Sequence, residues 1–336
     1  MKTFEEYSIK SLKLKNRVVM PPMCMYSADD SGEVNDFHIN HYTTRSIGGV
    51  GLIIVESTGI TPNGRISDND LGIWDDKHIK GLKNLVQSVK KHGSKIAIQL
   101  NHAGRKYTGS GQPVAPSAIS YDENYKMPKE LTKIEIKEII FRFQEAAIRA
   151  DKAGFDVIEI HAAHGYLIDQ FLSPLSNLRQ DGYGKTTENR TRFLKEILVA
   201  VKEVWPKGKP ISLRVSAEDY KKGGISIKEM VQIINIVKEY VDVVHVSSGG
   251  LVPAHINLYP GYQINFAQTI KRECNIPTIA VGLITEIDMV EEILSNERAD
   301  LVALGRELLR NPFWVLNKAK EKNVDIELPE QYKRAF

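Results

Sequence analysis

The chain has 336 residues, 42% hydrophobic and 26% charged, with 45 basic against 42 acidic side chains and a formal net charge of +3. That is an ordinary globular composition. The charge is too small and scattered to mark a nucleic-acid surface, and no apolar run approaches the ~20 residues needed to cross a bilayer. Two cysteines, Cys24 and Cys274, exclude a disulfide framework or a four-cysteine cluster, and with no apolar leader at the N-terminus the reading is a cytoplasmic protein.

Residues 2–16 read as a small hairpin. Strand candidates then follow at 17–20, 51–55, 95–100, 157–161, 211–216, 243–247, 278–281 and 301–304. They are short, β-branched and mostly apolar on both faces, as in a parallel sheet covered on two sides. Helical patterns lie between them, among them 79–91, 133–153, 188–204, 227–240, 285–295 and 312–322. Thr132 with Glu135 has the spacing of a capping box, Gly154 supplies a stop, and Pro312 fits a first helical turn. Eight strands with seven or eight helices predict a (β/α)8 TIM barrel, with the hairpin at its bottom and a long loop, 103–131, after strand 3. The pattern predicts one domain over residues 1–336. A doubly wound open sheet is the alternative, but it calls for a Gly-x-Gly-x-x-Gly turn after the first strand, and there is none.

Barrels of this kind do their chemistry at the C-terminal ends of the strands. Those ends carry Cys24 and Tyr26, Ser57 and Thr58, Gln99, Asn101 and His102, then His161, His164 and Tyr166, then Arg214, Ser247 to Gly250, Gly282, and Gly305 with Arg306. Glycines after the last two strands, with Arg306, fit a phosphate site. Gln99 and Arg214 suit a planar heterocycle with several acceptors, as a flavin is. His161 and His164 read as paired donors to a substrate oxygen, and Tyr166 as a general acid. The same pair also fits a zinc-dependent barrel hydrolase, if a third ligand such as His102 or Glu159 is supplied.

In this order the residues resemble the old yellow enzyme family of FMN-dependent ene-reductases, and within it the short bacterial NADPH dehydrogenase subclass. The resemblance spans essentially the whole chain. It rests on Asn16-Arg17-Val-Val-Met-Pro-Pro-Met-Cys24-Met-Tyr26, Gln99-Leu-Asn-His-Ala-Gly-Arg105-Lys106, His161-Ala-Ala-His164-Gly-Tyr166, the stretch from Leu167 to Pro174, Asn177-Leu-Arg179, Val246-Ser-Ser-Gly249 and Ala303-Leu-Gly305-Arg306.

The family implies tightly but non-covalently bound FMN, with NADPH or NADH as reductant. Carried over by motif, Pro21, Pro22, Met23, Cys24, Ser57, Gln99, Arg214, Gly282, Gly305 and Arg306 contact the flavin. Cys24 tunes it. Tyr26, His161 and His164 bind the substrate, and Tyr166 gives the proton. The implied reaction reduces an activated alkene, or a nitro compound, by hydride transfer from flavin N5. No metal, nucleic acid or membrane is implied. Arg334 is expected to enter a neighbouring subunit's site, hence a homodimer or homotetramer. Pro21, Ser57 and Phe336 depart from the family's usual small residue, alanine and tryptophan. A dienoyl-CoA reductase-like enzyme would need a cysteine cluster and a second nucleotide domain, which are missing. A non-catalytic flavin redox sensor remains the other reading.

Overall fold

A computed structural model describes residues 1–336. Eight parallel strands close into a barrel: β1 (Val18–Met20), β2 (Leu52–Gly59), β3 (Lys95–Asn101), β4 (Val157–Ala162), β5 (Ile211–Ser216), β6 (Val243–Ser247), β7 (Thr278–Ala280) and β8 (Leu301–Ala303). Each pairs with its neighbour in sequence, and β8 closes on β1. The strands are buried along nearly their whole length, which explains their continuous apolar runs.

Eight helices wrap the barrel: α1 (Asp36–Ile47), α2 (His78–Lys90), α3 (Lys133–Ala153), α4 (Thr187–Val204), α5 (Ile227–Val237), α6 (Ile264–Cys274), α7 (Ile287–Ser295) and α8 (Trp314–Glu321). The capping box of α3 forms as its spacing predicts. Glu135 N–H donates to Thr132 Oγ1, Thr132 N–H donates to the Glu135 carboxylate, and Gly154 closes the helix at φ +91°. Pro312 does not open α8, which starts at Trp314 with Phe313 as its N-cap. Residues 238–240 form a separate 3-10 turn rather than the end of α5. The helical patterns singled out in the sequence omit α1 and α6. Helix α1 buries His38, His41, Tyr42, Arg45 and Ser46, so its inward face carries no apolar period to read.

The hairpin Tyr7–Ile9/Leu12–Leu14 plugs the bottom. Its Ile9, Leu12 and Leu14 pack against Val19, Leu52, Ile54, Ala97, Val157, Val243, Ile279, Leu301 and Ala303, the inward residues of the lower barrel. The loop after β3 is held by a short parallel pair, Val114–Ala115 with Lys129–Glu130.

Candidate active site

The inward side chains of β3 to β6 change character on the way up the barrel. Ala97, Val157 and Val243 form the apolar floor; two residues further on stand Gln99, Glu159 and His245; two more bring His161 on β4 and Ser247 on β6. Glu159, fully buried, anchors the middle layer. Its carboxylate accepts from Gln99 Nε2 at 2.9 Å, Ser212 Oγ at 3.0 Å and His245 Nδ1 at 2.9 Å. Burial pushes this carboxyl up, but His245 and then the Arg214 cation outweigh it and hold it below its usual range. Burial drives His245 toward its neutral form, so its Nδ1–H is the donor. From the sequence Gln99 reads as a flavin contact and Glu159 only as a possible zinc ligand, and Ser212 and His245 go unmarked, because a lone Glu in an apolar strand gives no sign of its cross-strand partners.

The register of β2 against β3 shifts between Val55 and Ser57, so Glu56 is the extra residue of a bulge. Below it Ile54 pairs with Ala97; above it Ser57 pairs with Gln99. The bulge therefore turns Ser57 inward and Glu56 outward toward α1. The Ser57 hydroxyl is buried without a hydrogen-bond partner. Over this side runs the segment after β1. Arg214 donates to Pro22 O at 3.4 Å, and its Nε is buried and unbonded. Cys24 packs with Tyr166 against Ile66, Ala103 and Tyr107. Burial, with Asp70 and Glu56 nearby, pushes the Cys24 thiol up, so it is neither a thiolate nor an activated nucleophile. Tyr26 is half exposed at φ +51°.

Past β4 the chain turns sharply through His164 (φ +60°) and Gly165 (φ +74°). Only glycine fits at 165, since a Cβ there would stand 2.3 Å from Gly250 O. The turn is clamped on all sides. Gly165 N–H donates to Asp169 Oδ2 at 2.7 Å, Gln170 Nε2 to Gly165 O at 2.7 Å, and His164 N–H to Ser216 Oγ at 2.9 Å. Lys106 Nζ donates to His164 O at 3.0 Å and Gly250 O at 3.2 Å, and lies 5.4 Å from the Tyr166 ring centre.

The result is one compact group. The His161 and His164 rings stand 5.2 Å apart and perpendicular, and the Tyr166 ring lies edge-on to His161 at 4.9 Å. Burial holds both imidazoles well below their usual pKa and Tyr166 well above its own. At neutral pH the trio is two neutral rings and a protonated phenol. His161 Nδ1 is buried without a partner, while His164 Nε2 meets Ser247 Oγ at 2.8 Å.

No three His, Cys, Asp or Glu side chains are grouped to hold a metal ion. Glu159 is occupied in its own layer and His102 Nδ1 accepts from Gly104 N–H, so the zinc reading lacks a third ligand. A flavin fits what is present. Unbonded buried polar atoms line the opening (Ser57 Oγ, His161 Nδ1, Arg214 Nε), and after β7 Gly282 takes φ +138° beside Gln263. Gly305 lies next to Pro21 and Met23, and Arg306 is exposed. Arg334 is not part of this group. The tail 325–333 shares a cavity of about 920 Å³ with Lys15, Gly49 and His92, just before β1, β2 and β3, at the barrel's other end.

The model of the NADH:flavin oxidoreductase / NADH oxidase family matches residues 2–325. An NADPH dehydrogenase of Clostridium acetobutylicum is 72% identical over the whole of both chains, and one of Bacillus subtilis is 52% identical over 100% of this chain and 99% of its own. Among solved structures, morphinone reductase aligns with TM-score 0.82 and 28% identity over 98% of this chain and 91% of its own. An old yellow enzyme homologue from Zymomonas mobilis aligns with TM-score 0.82 and 25% identity, over 98% and 94%. The chain belongs to this family, the old yellow enzymes, and within it to the short bacterial NADPH dehydrogenases, FMN-dependent enzymes that draw electrons from a nicotinamide.

Proposed function

We propose that this NADPH dehydrogenase reduces the activated C=C bond of α,β-unsaturated carbonyl compounds, and of conjugated nitro compounds, within a single FMN-binding domain spanning 1–336. The observation that carries the reading is the neutral His161–His164 pair with the Tyr166 phenol packed against it.

FMN, when bound, supplies the redox chemistry, accepting hydride from NAD(P)H and passing it on to the acceptor. Pro21 to Cys24, Ser57, Gln99 and Arg214 would hold its ring, and Gly282, Gly305 and Arg306 would hold its phosphate. Support comes from the unbonded Ser57 and Arg214 atoms and the exposed Arg306.

Two N–H groups polarise the acceptor's oxygen, and each such donor is worth about 10²–10³ in rate. For His164 that requires the proton on Nδ1, so Ser247 must donate to Nε2. Ser247 Oγ also lies 3.2 Å from Gln263 Oε1 and has one proton to give, so it must turn from that oxygen to Nε2; Ser248 Oγ, which donates to the same Oε1 at 2.7 Å, keeps that acceptor satisfied when it does. Tyr166, its ring packed edge-on to His161, delivers a proton to the α-carbon. Tyr26 walls the acceptor pocket. Arg334 completes it from a second subunit, in a homodimer or homotetramer, since the tail lies away from its own barrel mouth.

Anaerobic stopped-flow mixing of the yellow holoenzyme with NADPH or NADH, then with 2-cyclohexenone or a nitroalkene, tests the reading. Reoxidation by these acceptors is expected. Reoxidation by oxygen alone would leave a redox sensor instead.

A further inference from the structure

The segment after β1 carries Cys24 and Tyr26 to the mouth, with its carbonyls held on either side of that pair by Arg214 at Pro22 O (3.4 Å) and by Asn35 Nδ2 at Ser27 O (2.6 Å), and by Ser27 Oγ at Met25 O (3.0 Å). Its backbone N–H groups turn to a single acceptor. Met25 N–H donates to Glu56 Oε2 at 2.5 Å, and Tyr26 N–H adds to the stabilisation of the same carboxylate. No other backbone N–H from Met23 to Ser27 is bonded within the protein. Tyr26 itself sits at φ +51°, a conformation a bulky side chain adopts only when its surroundings impose it.

Glu56 is 1% exposed and owes its direction to the bulge in β2. Unbulged alternation would send it into the barrel beside Gln99; the bulge sends it outward instead, under the Cys24–Tyr26 turn. Helix α1 steadies it there. The Tyr42 hydroxyl accepts from Glu56 N–H at 2.9 Å and faces Oε1 at 3.4 Å, and His38 Nε2 lies 3.4 Å from the same oxygen. A carboxylate in such a place is costly to bury, and the reaction uses it for nothing directly.

We propose that Glu56 is a positioning residue for the acceptor pocket: its carboxylate, aimed by the β2 bulge and held from α1, pins Met25 and so sets where Cys24 and Tyr26 stand. The inference rests on the ene-reductase reading above for its kinetic consequences, though not for its structural one.

The clamp depends on protonation. Burial pushes Glu56 up to about 7, with Asp70 adding to the rise while the Met25, Tyr42 and Tyr26 donors oppose it. Around it, burial brings His38 down to about 4, so that ring stays neutral in this window. Tyr42 and Cys24 are pushed up and stay protonated, and Tyr26 behaves likewise. Asp70 is raised and already accepts from Ile66 N–H and Ser67 Oγ. Glu56 is therefore the group in the cluster that changes charge near neutrality. Above about 7 it is an anion accepting a charge-assisted bond from Met25 N–H; below, it is a carboxylic acid and a weaker acceptor. The acceptor's KM is lowest above that pH and rises as pH falls through it.

The test uses holoenzyme carrying Glu56→Gln or Glu56→Ala. Hydrogen exchange at the Met25 amide is expected to quicken about tenfold or more in Glu56→Ala as the segment opens locally. The KM for 2-cyclohexenone is expected to rise about tenfold while kcat changes by less than about twofold. Glu56→Gln keeps the shape and loses the ionisation, so the pH step in KM should vanish while Glu56→Asp retains one. An unaltered Met25 exchange rate in Glu56→Ala overturns the clamp, and a pH step persisting in Glu56→Gln overturns the carboxylate's part in it. If Glu56→Ala does not fold, the Gln and Asp pH profiles decide alone. The exchange measurement needs no turnover, so a wild type that reduced no alkene would end the functional reading and leave this one standing or falling separately.

Discussion

The two ends of this barrel are built by opposite rules, in β4 and β6 within one and the same strand. At the bottom, Ala97, Val157 and Val243 meet Ile9, Leu12 and Leu14 of the hairpin, and the packing is apolar. Four residues up, His161 and Ser247 stand among buried polar atoms, several of them unpartnered: Ser57 Oγ, His161 Nδ1 and Arg214 Nε. Unsatisfied buried groups cost about 1–3 kcal/mol each. The fold is stabilised from below and carries cost above, where bound groups are to supply the missing partners. Changes at the top should therefore alter rates with little change in stability, and changes at the bottom the reverse.

The largest expected effect is on rate. Tyr166→Phe removes the proposed proton donor but keeps the ring against His161. The alkene half-reaction should slow about 10²–10⁴-fold, while flavin reduction by NADPH is nearly unchanged, both read by anaerobic stopped flow. Equal loss in the two half-reactions would strip Tyr166 of its role. Next comes the bottom: Leu14 is fully buried, and Leu14→Ala should destabilise the protein by about 2–5 kcal/mol. Denaturant unfolding measures that, and kcat on the folded fraction should stay as in the wild type. A fallen kcat would mean that the two ends are coupled through the strands.

A smaller and purely electrostatic test concerns pH. Burial disfavours the charged form of every member of the trio, which lowers His161 and His164 and raises Tyr166. Acidification from pH 8 to 6 should thus protonate neither imidazole, and no phenolate should form below pH 9. The single-turnover rate at saturating acceptor should be flat across that range, leaving any pH dependence to KM. An acid limb centred near the ordinary histidine pKa would show that the rings are wetter than the geometry makes them.

What was legible in the sequence follows from which interactions are local. The strands announce themselves through apolar runs, and strand-end residues such as His161, His164 and Tyr166 are adjacent in sequence as they are in space. The hairpin plug was equally plain. Two kinds of feature were hidden. Glu159, Ser212 and His245 form one hydrogen-bonded layer from three separate strands, and nothing near each in the chain marks the others. The bulge at Glu56 was hidden too, because simple alternation assigns Glu56 inward and Ser57 outward, the reverse of what the register imposes. Helix α1 escaped for a related reason: it buries polar side chains, among them the Tyr42 and His38 that face Glu56. Lys106 lay within a motif, but its bond to the His164 carbonyl depends on a loop packing over the β4 turn.

The smallest expected effect is the sharpest test of the top-and-bottom contrast, because its sign depends on the ligand. Ser57 is 3% exposed, paired in register with Gln99, and its hydroxyl has no partner in the protein. In the flavin-free protein that hydroxyl is a pure cost, so Ser57→Ala should raise apoprotein stability by about 1 kcal/mol. In the holoenzyme the same hydroxyl has a bond to lose if the flavin edge reaches it, and FMN should bind more weakly by about 0.5–1.5 kcal/mol, up to about tenfold in Kd. Thermal unfolding of the apoprotein and fluorescence titration with FMN read the two quantities separately. Opposite signs would place the flavin against β2. A gain in stability with unchanged FMN affinity would instead make Ser57 an unpaid defect of the barrel, and its inward turn would serve only to let Glu56 face α1.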